Sequence, residues 1–506
     1  MPSLPTFYRL ACQQAVSFPG RTAIVYRDQR LSFADICDRA NRIANVLKAE
    51  GVREGDRVLW LGQNANRVLE LFLACSRLGA GLCVANWRQS VAELAFVIRD
   101  IDARVIFWQQ EEVGDVTVEA RTAADSDAMW IRHDGDDAES YEGRIAAAAA
   151  EAGEEAGTDS INRPLLILYS AAFGGRPNGA QLSDVGLFLQ MLTHTSALGI
   201  GRDNVGLVST PMFHIVAWLD LLPTFMMGGK VAIARRTEAQ ALCELIHREK
   251  IVTGRLHPPI AARIAEYNAD RRFDLSSFRS SLDIPGWKEM TGSGPEIGGT
   301  GQTEVAGPIV LHALGGSTPF SGRIAPFAEA RVVNPDGTDA PPGKLGELWI
   351  RGASAGLGYW NRPELNAERM RGDWWRTTDL ARRDADGTIS FAGPMLQMVK
   401  TGGENVYPAE VEAAIKSHPA ITAAAIIGTP DPIWSQIVTG IVALAPDAHL
   451  TLETLRAYLK DRIAGYKIPR ALHIVQKMPM KGLVPDYAAL DARFGGGNYP
   501  GQARKA

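Results

Sequence analysis

The sequence has no long apolar run, no excess of one charge and few cysteines. Its apolar stretches, such as Leu69–Cys75, fall far short of the roughly 18 residues that a membrane helix requires, so no membrane partner is expected. A net charge of −4 gives no electrostatic attraction to nucleic acid or to an anionic membrane surface. The first residues, MPSLPTFYRLACQQ, lack a basic region ahead of an apolar run, so no secretory signal peptide is predicted.

The cysteines are odd in number and show no CxxC spacing. A chain of 506 residues does not need a disulfide framework, which predicts reduced thiols in the core and a cytoplasmic location. None has neighbours in sequence that indicate a metal site or a nucleophile. The five are Cys12, Cys37, Cys75, Cys83 and Cys243.

Amphipathic helices alternate with short apolar runs in the first part of the chain. Ser32 can cap a helix whose apolar positions repeat at helical spacing as far as Gly51. The buried-strand candidates Arg57–Leu61 and Gly81–Ala85 flank a helix through Val68–Arg77. This alternation predicts an α/β fold class, with βαβ-type sheets and helical crossovers.

The composition changes at two later points. Residues 118–161 are rich in Ala, Asp, Glu and Gly and are predicted to form mainly a solvated connection, with a candidate helix at Arg144–Ala152. From about Met395, two helices and three strands are predicted in a compact α+β unit of about 110 residues, the size of a separate domain. We therefore place a large N-terminal domain at 1–394 and a small C-terminal α+β domain at 395–506.

A candidate phosphate loop, YSAAFGGRPNGAQLSD, runs from Tyr169 to Asp184 after a predicted strand and before a helix starting near Ser183. Such loops hold phosphates because glycines let backbone N–H groups approach, hydroxyls donate and lysine neutralises charge. Taken alone, an ordinary Gly-rich turn explains this segment equally well.

Several motifs in the same order resemble the adenylate-forming superfamily of acyl-CoA synthetases, luciferases and peptide-synthetase adenylation domains. The resemblance runs from the opening LSFADICDRANRIANVLKAEGVREGDRV to the C-terminal GYKIPR. It implies that 1–394 binds the acyl group and AMP, and that 395–506 is a mobile domain that rotates between two half-reactions.

The retained nucleotide motifs are TGQTE, ending at Glu304, and WRTTDL. By resemblance, Thr303 binds the AMP phosphate and Glu304 holds Mg²⁺, the latter only if ATP is used. Asp379 is expected to accept hydrogen bonds from the ribose hydroxyls as an ionised carboxylate. Thr300 belongs to the same AMP site but replaces a tyrosine whose ring would stack on adenine.

The retained thiolation motifs are PMFH and KTGGENVYPAEVE. By resemblance, His214 lines and gates the acyl and pantetheine route, while Gly402 and Gly403 line the pantetheine tunnel. These three form the predicted catalytic set. Gly402 and Gly403 are also predicted to bind CoA, together with Arg88 in NWRQS, a candidate contact for a CoA phosphate. A surface arginine is the alternative interpretation of Arg88.

The acyl pocket is predicted from a run of small residues. In the family, the segment that corresponds to Ser281–Gly299 forms a wall of this pocket, and its glycine content suggests room for a broad polycyclic or aromatic acid. The residues assigned to the acyl pocket are His214, Gly292, Gly294, Gly299 and Gly301.

The family's phosphate-handling residues are largely replaced. Side chains without a suitable donor or charge stand where the family has hydroxyls, two lysines, an arginine and a hinge residue. These positions are Ala171, Ala172, Phe173, Asn178, Val484, Pro394 and Leu396. The changes at Ala171–Phe173, Asn178 and Val484 belong to adenylation; each lost transition-state donor costs on the order of 10²–10³ in rate, so together they should nearly abolish this step. Thr300 and Pro394 do not fit this division, since the lost tyrosine and arginine would also have held AMP. Attack of the CoA thiolate on a preformed acyl-AMP depends mainly on positioning.

The leading hypothesis is therefore an enzyme that transfers an acyl group from preformed acyl-AMP to CoA, its co-substrate. It resembles the non-adenylating CoA-ligase homologue of platensimycin-type diterpenoid biosynthesis and requires a separate adenylating enzyme. A bulky acid of secondary metabolism, as in antibiotic biosynthesis, is the expected substrate. One alternative is a complete ATP-dependent acyl-CoA synthetase in which Lys481 and Ser170 replace the missing groups. Another is a non-catalytic acyl-adenylate or acyl-CoA binding protein.

Overall fold

The computed structural model describes residues 6–153, 155–156, 163–170, 177–294, 297–313, 320–394, 397–481 and 484–497. None of the helices in these ranges is long and apolar enough to span a membrane. The α-helices described are α1 (Phe7–Ser17), α2 (Phe33–Ala49), α3 (Asn66–Leu78), α4 (Val91–Ile101), α5 (Gly114–Ala124), α6 (Tyr141–Ala147), α7 (Asp184–Leu198), α8 (Ile215–Met226), α9 (Ala239–Glu249), α10 (Pro258–Tyr267), α11 (Pro363–Arg369), α12 (Pro408–Lys416), α13 (Leu452–Leu459) and α14 (Tyr487–Phe494).

The strands fall into three groups along the chain. The first group is β1 (Thr22–Tyr26), β2 (Gln29–Ser32), β3 (Arg57–Leu61), β4 (Gly81–Val84), β5 (Val105–Trp108), β6 (Met129–Arg132), β7 (Pro164–Ser170), β8 (Asn178–Ser183), β9 (Val205–Val208), β10 (Lys230–Ile233) and β11 (Thr253–Gly254). The second group is β12 (Arg279–Ser280), β13 (Gly292–Ser293), β14 (Ile297–Gln302), β15 (Gly307–Ala313), β16 (Ser321–Ile324), β17 (Glu329–Val333), β18 (Leu345–Arg351), β19 (Met370–Arg371), β20 (Trp374–Arg383) and β21 (Ile389–Pro394). The third group is β22 (Val399–Thr401), β23 (Glu404–Val406), β24 (Ile421–Asp431), β25 (Ser435–Leu444), β26 (Ala471–Val475), β27 (Met480–Lys481) and β28 (Val484–Pro485).

Two mostly parallel sheets confirm the predicted α/β class. Their strand orders are β6-β5-β3-β4-β7-β8 and β11-β9-β10-β1-β2, and each ends in one antiparallel edge strand. Helical crossovers cover such sheets on both faces, so their strands are almost wholly apolar, as the RVLWL of β3 illustrates. The carboxyl ends of β4, β9 and β11 lead into loops that meet at one cavity, where open α/β sheets commonly bind ligands.

Helix α2 shows how the local sequence directs the fold. Ser32 and Asp35 form a reciprocal capping box, with the Ser32 N–H donating to the Asp35 carboxylate over 2.8 Å. The apolar positions that repeat at helical spacing are all buried: Ile36, Ala40, Ile43 and Leu47. Each fully buried Ile or Leu contributes about 1.5–3 kcal/mol, so a charged residue at Ile43 would disrupt this packing.

The rest of the large domain is a mainly antiparallel sheet, β14-β15-β16-β21-β20-β18-β17, with β19 beside β20. The small α+β unit carries the sheet β23-β22-β25-β24, in which β26 runs parallel to β25. Its existence as an α+β unit was predicted. The boundary between 394 and 395 stays a prediction, because residues 395–396 lie outside the described residues.

Three sequence predictions are corrected. The supposed connection at 118–161 contains the end of α5 and the edge strand β6, which pairs with β5 and buries Ile131, while α6 overlaps the candidate helix at Arg144–Ala152. An Ala- and Asp-rich composition concealed this short strand. The candidate phosphate loop leads first into β8, antiparallel to β7, before α7 begins, so it connects two strands. Cys12 and Cys37 form a disulfide between α1 and α2, and only Cys75, Cys83 and Cys243 are free buried thiols.

Candidate active site

A cavity of about 170 Å³ lies between the large domain and the small unit. The loop after β9, with Pro211 and His214, forms one wall, and the turn between β22 and β23 forms the other. The structure thus brings together four residues that the sequence assigned to thiolation, which lie far apart along the chain: Arg88, His214, Gly402 and Gly403.

Two glycines shape the turn that the small unit contributes. Gly402 and Gly403 have φ values of +57° and +90°, the left-handed region that favours glycine. The Gly402 N–H donates to the Trp434 carbonyl over 2.9 Å, and a Cβ at Gly402 would come within 2.7 Å of the Trp434 ring. A Cβ at Gly403 would lie 3.1 Å from Nε2 of His257. Any side chain at either position would therefore disturb the cavity.

Glu404 connects the two walls. Its carboxylate lies 3.0 Å from Nη1 of Arg88 and 3.2 Å from Nε2 of His214. Burial alone would raise the pKa of Glu404, but His214 and Arg88 outweigh burial, and the pKa is lowered. Arg88 was predicted to contact a CoA phosphate; in this structure its guanidinium pairs with Glu404, at the rim of the cavity.

A second set of contacts crosses between the same parts of the chain. The Lys467 ammonium lies 2.5 Å from both Glu93 of α4 and Glu410 of α12. The Ser90 hydroxyl donates to the Arg462 carbonyl over 3.3 Å. Lys467 is almost fully buried, yet its two carboxylate partners raise its pKa against the effect of burial. These contacts hold the small unit in the orientation that closes the cavity.

The predicted nucleotide residues lie on β14, on the turn after it and on β20. The Gln302 amide donates to Asp379 and to the Thr377 carbonyl, both over 3.1 Å, and accepts from the Trp375 indole over 3.0 Å. Burial and the nearby Glu304 raise the pKa of Asp379 to about 7, although Gln302 opposes the shift. The sequence predicted an ionised carboxylate. Because the pKa is raised to about 7, this group without a ligand carries a proton about half of the time at neutral pH.

Glu304 was the candidate magnesium ligand. It accepts hydrogen bonds from the Ser170 hydroxyl (2.7 Å) and the Tyr359 hydroxyl (2.9 Å). Within the described ranges, no group of three or more His, Cys, Asp or Glu side chains could hold a metal ion. A single carboxylate fits Mg²⁺ only where nucleotide phosphates and water complete the shell. Glu304 would then hold an ion that neutralises phosphate charge.

Thr300 and Thr303 occupy the rest of this motif. Thr303 opens a 3-10 turn, Thr303–Val305, directly after β14. The Thr300 hydroxyl is buried and has no hydrogen-bond partner within the described ranges. Its short side chain leaves no ring to stack on adenine, as the sequence indicated.

Among the described residues, the cation that contacts the replaced lysine position is already neutralised. The Asn178 side-chain oxygen accepts from Nε of Arg362 over 3.1 Å. The same guanidinium binds both carboxylate oxygens of Asp100, at 2.8 and 3.1 Å. Arg362 therefore does not replace the missing lysine as a free phosphate-binding charge.

Several predicted losses cannot be located in the structure. Ala171, Ala172 and Phe173, together with Leu396, lie outside the described residues, as do the side chains of Pro394, Lys481 and Val484. In the backbone, Lys481 of β27 pairs opposite Val484 of β28.

The glycines assigned to the acyl pocket have another structural reason. A Cβ at Gly301 would collide with the Gly307 backbone, and one at Gly299 would come within 2.4 Å of Pro308 in the neighbouring strand. A Cβ at Gly292 or Gly294 would come within 3 Å of the backbone beside β12. None of the four lines either described cavity, so close backbone packing accounts for these glycines and their assignment to the acyl pocket stays a prediction.

A second cavity, of about 270 Å³, lies between α7 and the β14–β15 pair. Its lining is mainly apolar, with two hydroxyls and a histidine among the side chains. The lining residues are Thr193, Ser196, Ala197, Ile297, Leu311, His312 and Pro326. Ile297 falls within the segment Ser281–Gly299 that was predicted to form a wall of the acyl pocket. The other lining residues carry no sequence signal, because small and apolar residues on a helix and a strand are typical of any core.

Two cavity residues were also missed. Glu404 directly follows Gly403. The motif that contains both residues was recognised, but no role was assigned to the Glu404 carboxylate. His257 precedes two prolines at the start of α10, and no sequence pattern links it to the small unit. Of these two residues, only Glu404 could have been found from the sequence, by its position in a recognised motif.

Two family models match the chain. The model described as AMP-binding enzyme matches residues 12–360, and the model described as AMP-binding enzyme C-terminal domain matches residues 410–483. The first covers more than half of the chain.

Curated relatives cover almost the whole chain. The feruloyl-CoA synthase of an Amycolatopsis species is 32% identical over 478 residues, which span 92% of this chain and 94% of that protein. The indoleacetate–CoA ligase of Aromatoleum aromaticum is 29% identical over 495 residues, spanning 92% and 93%.

Solved structures share the fold. An amide bond synthetase from Marinactinospora thermotolerans aligns with a TM-score of 0.82 at 22% identity, covering 97% of this chain and all of that one (100%). A double mutant of the o-succinylbenzoate CoA synthetase of Bacillus subtilis, bound to a product analogue, aligns with a TM-score of 0.79 at 23% identity, covering 95% and 97%. At this identity the likeness extends to the fold alone.

Proposed function

The chain belongs to the AMP-binding enzyme family as an enzyme of the acyl-CoA ligase type, and we propose that it catalyses one half-reaction, acyl transfer from preformed acyl-AMP to CoA. The observation that carries this proposal is the interdomain cavity, where the Gly402–Gly403 turn faces His214 while Glu404 joins His214 to Arg88. The residues assigned to thiolation are thus assembled in one place.

The proposed reaction needs little beyond positioning. The CoA sulfur forms a bond to the acyl carbonyl carbon, the bond from that carbon to the AMP phosphate oxygen breaks, and the thiol proton is released. Holding two reactants in attack geometry supplies several kcal/mol, about 7–11 in well-oriented systems. The turn and the His214 wall would guide the pantetheine arm, and Arg88 remains the candidate contact for a CoA phosphate.

The loss of cationic groups that would bind ATP supports the restriction of the proposed activity to one half-reaction. A triphosphate and a departing pyrophosphate require cations, yet Asn178 replaces the family's loop lysine and Arg362 is already paired with Asp100. A separate adenylating enzyme would supply acyl-AMP, without any need to bind this chain.

An aromatic carboxylic acid is the proposed acyl donor class. The relatives named above are a feruloyl-CoA synthase and an indoleacetate–CoA ligase, both with aromatic acids in their names. The second cavity, with its mainly apolar lining beside β14, is a suitable place for a ring.

The test compares two mixtures with one enzyme preparation. Synthetic feruloyl-AMP or indoleacetyl-AMP plus CoA should yield the acyl-CoA, measured by mass spectrometry. The free acid with ATP, Mg²⁺ and CoA should yield none above background. Equal yields from both mixtures would overturn the half-reaction proposal, and acyl-AMP binding without turnover would favour a binding protein.

A complete ATP-dependent synthetase is the second candidate. The Ser170 hydroxyl still contacts Glu304, so one donor of the phosphate loop remains beside the candidate magnesium carboxylate. If this candidate is right, Lys481 supplies the missing cation. Lys481→Ala should then abolish ATP-dependent synthesis and leave transfer from acyl-AMP unchanged.

A further inference from the structure

Thiolation requires a proton acceptor. The thiolate is the reactive form of a thiol, and an ordinary thiol with a pKa of about 8.5 is mostly protonated at neutral pH. A neutral imidazole beside the thiol would remove this limitation. Two histidines line the interdomain cavity, His214 and His257.

The two imidazoles differ in their hydrogen bonds. Nε2 of His214 faces the Glu404 carboxylate at 3.2 Å and is therefore occupied. The His257 ring makes no hydrogen bond or ion pair with any residue in the part of the chain that the structure describes, and its side chain is accessible. Both of its ring nitrogens are therefore without a protein partner in the described part of the chain, and one of them can accept a proton from a ligand.

The backbone holds His257 against the thiolation turn. His257 is the N-cap of α10 with φ −70° and ψ 147°, and Pro258 and Pro259 follow it, which restricts the backbone at this point. Its Nε2 would lie 3.1 Å from a Cβ at Gly403, and its Cε1 would lie 3.2 Å away. The ring therefore borders the space that the missing side chain of Gly403 leaves open.

We propose that His257 accepts the thiol proton of CoA during acyl transfer, an inference that rests on the proposed function. The S–H bond breaks as Nε2 takes the proton, and the sulfur attacks the acyl carbonyl carbon. The bond to the AMP oxygen then breaks, AMP leaves with that electron pair, and the imidazolium releases its proton to water. The overall balance is acyl-AMP plus CoA to acyl-CoA, AMP and one proton.

The surroundings keep His257 in the proton-accepting form. Partial removal from water lowers its pKa, Lys400, His214 and Arg255 lower it further, and Glu404 opposes them. The positive end of α10 acts in the same direction, because it disfavours an imidazolium. The charged and titratable groups around the cavity are Arg88, His214, Arg255 with its partner Asp220, Arg263, Lys400 and Glu404. Because cations outnumber anions among these groups, they also favour the thiolate form of CoA.

The test is the pH dependence of single-turnover acyl transfer with synthetic acyl-AMP and CoA. The wild-type rate should reach its plateau at a lower pH than an ordinary imidazole would give, since its surroundings lower the pKa of His257. His257→Ala and His257→Gln should transfer about 10²-fold more slowly at neutral pH and recover as pH approaches the thiol pKa. Added imidazole should restore part of the rate. His449→Ala, at an exposed loop histidine, is the matched control and should behave as wild type.

Three results would overturn the assignment. Unchanged rates and pH profiles in the His257 variants would exclude this histidine and leave the proposed function intact. A loss that is equal at every pH and unaffected by imidazole would indicate packing only. Absence of acyl-CoA with the wild-type enzyme would instead contradict the proposed function itself. Binding of acyl-AMP, measured by thermal stabilisation, should be equal in all variants and shows that they are folded.

Discussion

The interdomain cavity and the nucleotide site differ in how their charges are matched. In the cavity, Glu404 is buried between Arg88 and His214, so its charge is compensated across the interface. At the nucleotide site, the half-buried Asp379 accepts a hydrogen bond from an uncharged amide, with no cation paired to it in the described ranges, and its pKa is raised to about 7. The first site is organised before a ligand arrives, whereas the second depends on the ligand to complete it.

This difference suggests how a two-step enzyme can lose one step. In the proposed function, acyl transfer uses a cavity whose Glu404–Arg88 pair also holds the two parts of the protein together. Adenylation uses cations that serve phosphate alone, such as the lysine that Asn178 replaces. Those cations can be lost without any cost to the fold, while loss of the interface charges would destabilise it.

The largest expected effect is at Gly403. Gly403→Val would place branched atoms against His257 and force a β-branched residue into a positive φ, so acyl transfer should fall by about 10²-fold or more. Gly337→Val is the matched control, since φ is +88° there and nothing lies within 4 Å of its Cβ. Stopped-flow measurement of acyl-CoA formation checks this prediction. Equal losses in both variants would mean that backbone strain, and not the cavity, causes the effect.

The charge bridge should give the next largest effect. Glu404→Gln removes the negative charge between Arg88 and His214, and kcat/KM for CoA should fall by about 10- to 100-fold. Glu329→Gln breaks an exposed pair with Arg351 and should change it by less than about 2-fold. Steady-state kinetics with acyl-AMP provide the comparison. No loss in Glu404→Gln would show that the cavity does not depend on this bridge.

The nucleotide site should respond to pH instead. If the ribose hydroxyls donate to ionised Asp379, AMP affinity should fall about 10-fold between about pH 8 and about pH 6, because the group titrates near 7. Calorimetry should show proton release on binding at neutral pH, and Asp379→Asn should remove both effects. A pH-independent affinity in the wild type would exclude Asp379 from nucleotide binding.

The titration of Asp379 also affects the stability of the fold. A rise in pH should strengthen AMP binding but lower the free energy of unfolding. The folded-state pKa of Asp379 exceeds the unfolded value, so the folded protein holds a proton that the unfolded chain releases between about pH 4 and about pH 7. The free energy of unfolding should therefore fall as pH rises through this window, and Asp379→Asn should reduce that fall. Denaturant titrations at several pH values measure it.

The smallest expected effect is at the replaced lysine. Asn178→Lys restores one cation beside Arg362, but the substitutions at 171–173 remain, so ATP–pyrophosphate exchange should stay at background. Acyl transfer should change by less than about 2-fold, since this site does not border the cavity. Substantial exchange in this single variant would mean that the rest of the adenylation machinery is intact.

Local sequence signals predicted much of the fold. The capping box at Ser32 and the apolar run of β3 depend on neighbours within a few residues, and both elements lie where they were expected. The strand β6 and the Cys12–Cys37 disulfide were missed because each depends on a partner in another element. Short-range patterns do not contain that information.

The candidate site was predictable to a similar degree. Motif order brought His214 and Gly403 into one hypothesis, and the structure places both at one cavity. The pairing of Glu404 with Arg88 joins residues 316 positions apart, and the position of His257 depends on how the small unit is oriented. The role of the glycines near β14 stays a prediction, because a missing side chain can serve either open space or close packing.

The most direct test of the account compares two rates in one preparation of the wild-type enzyme. ATP–pyrophosphate exchange with the free acid and Mg²⁺ reports adenylation, and acyl-CoA formation from synthetic acyl-AMP reports thiolation. We predict that acyl transfer exceeds exchange by at least about 10³-fold, since several phosphate-binding groups are replaced. Exchange as fast as acyl transfer would contradict the account and identify a complete synthetase.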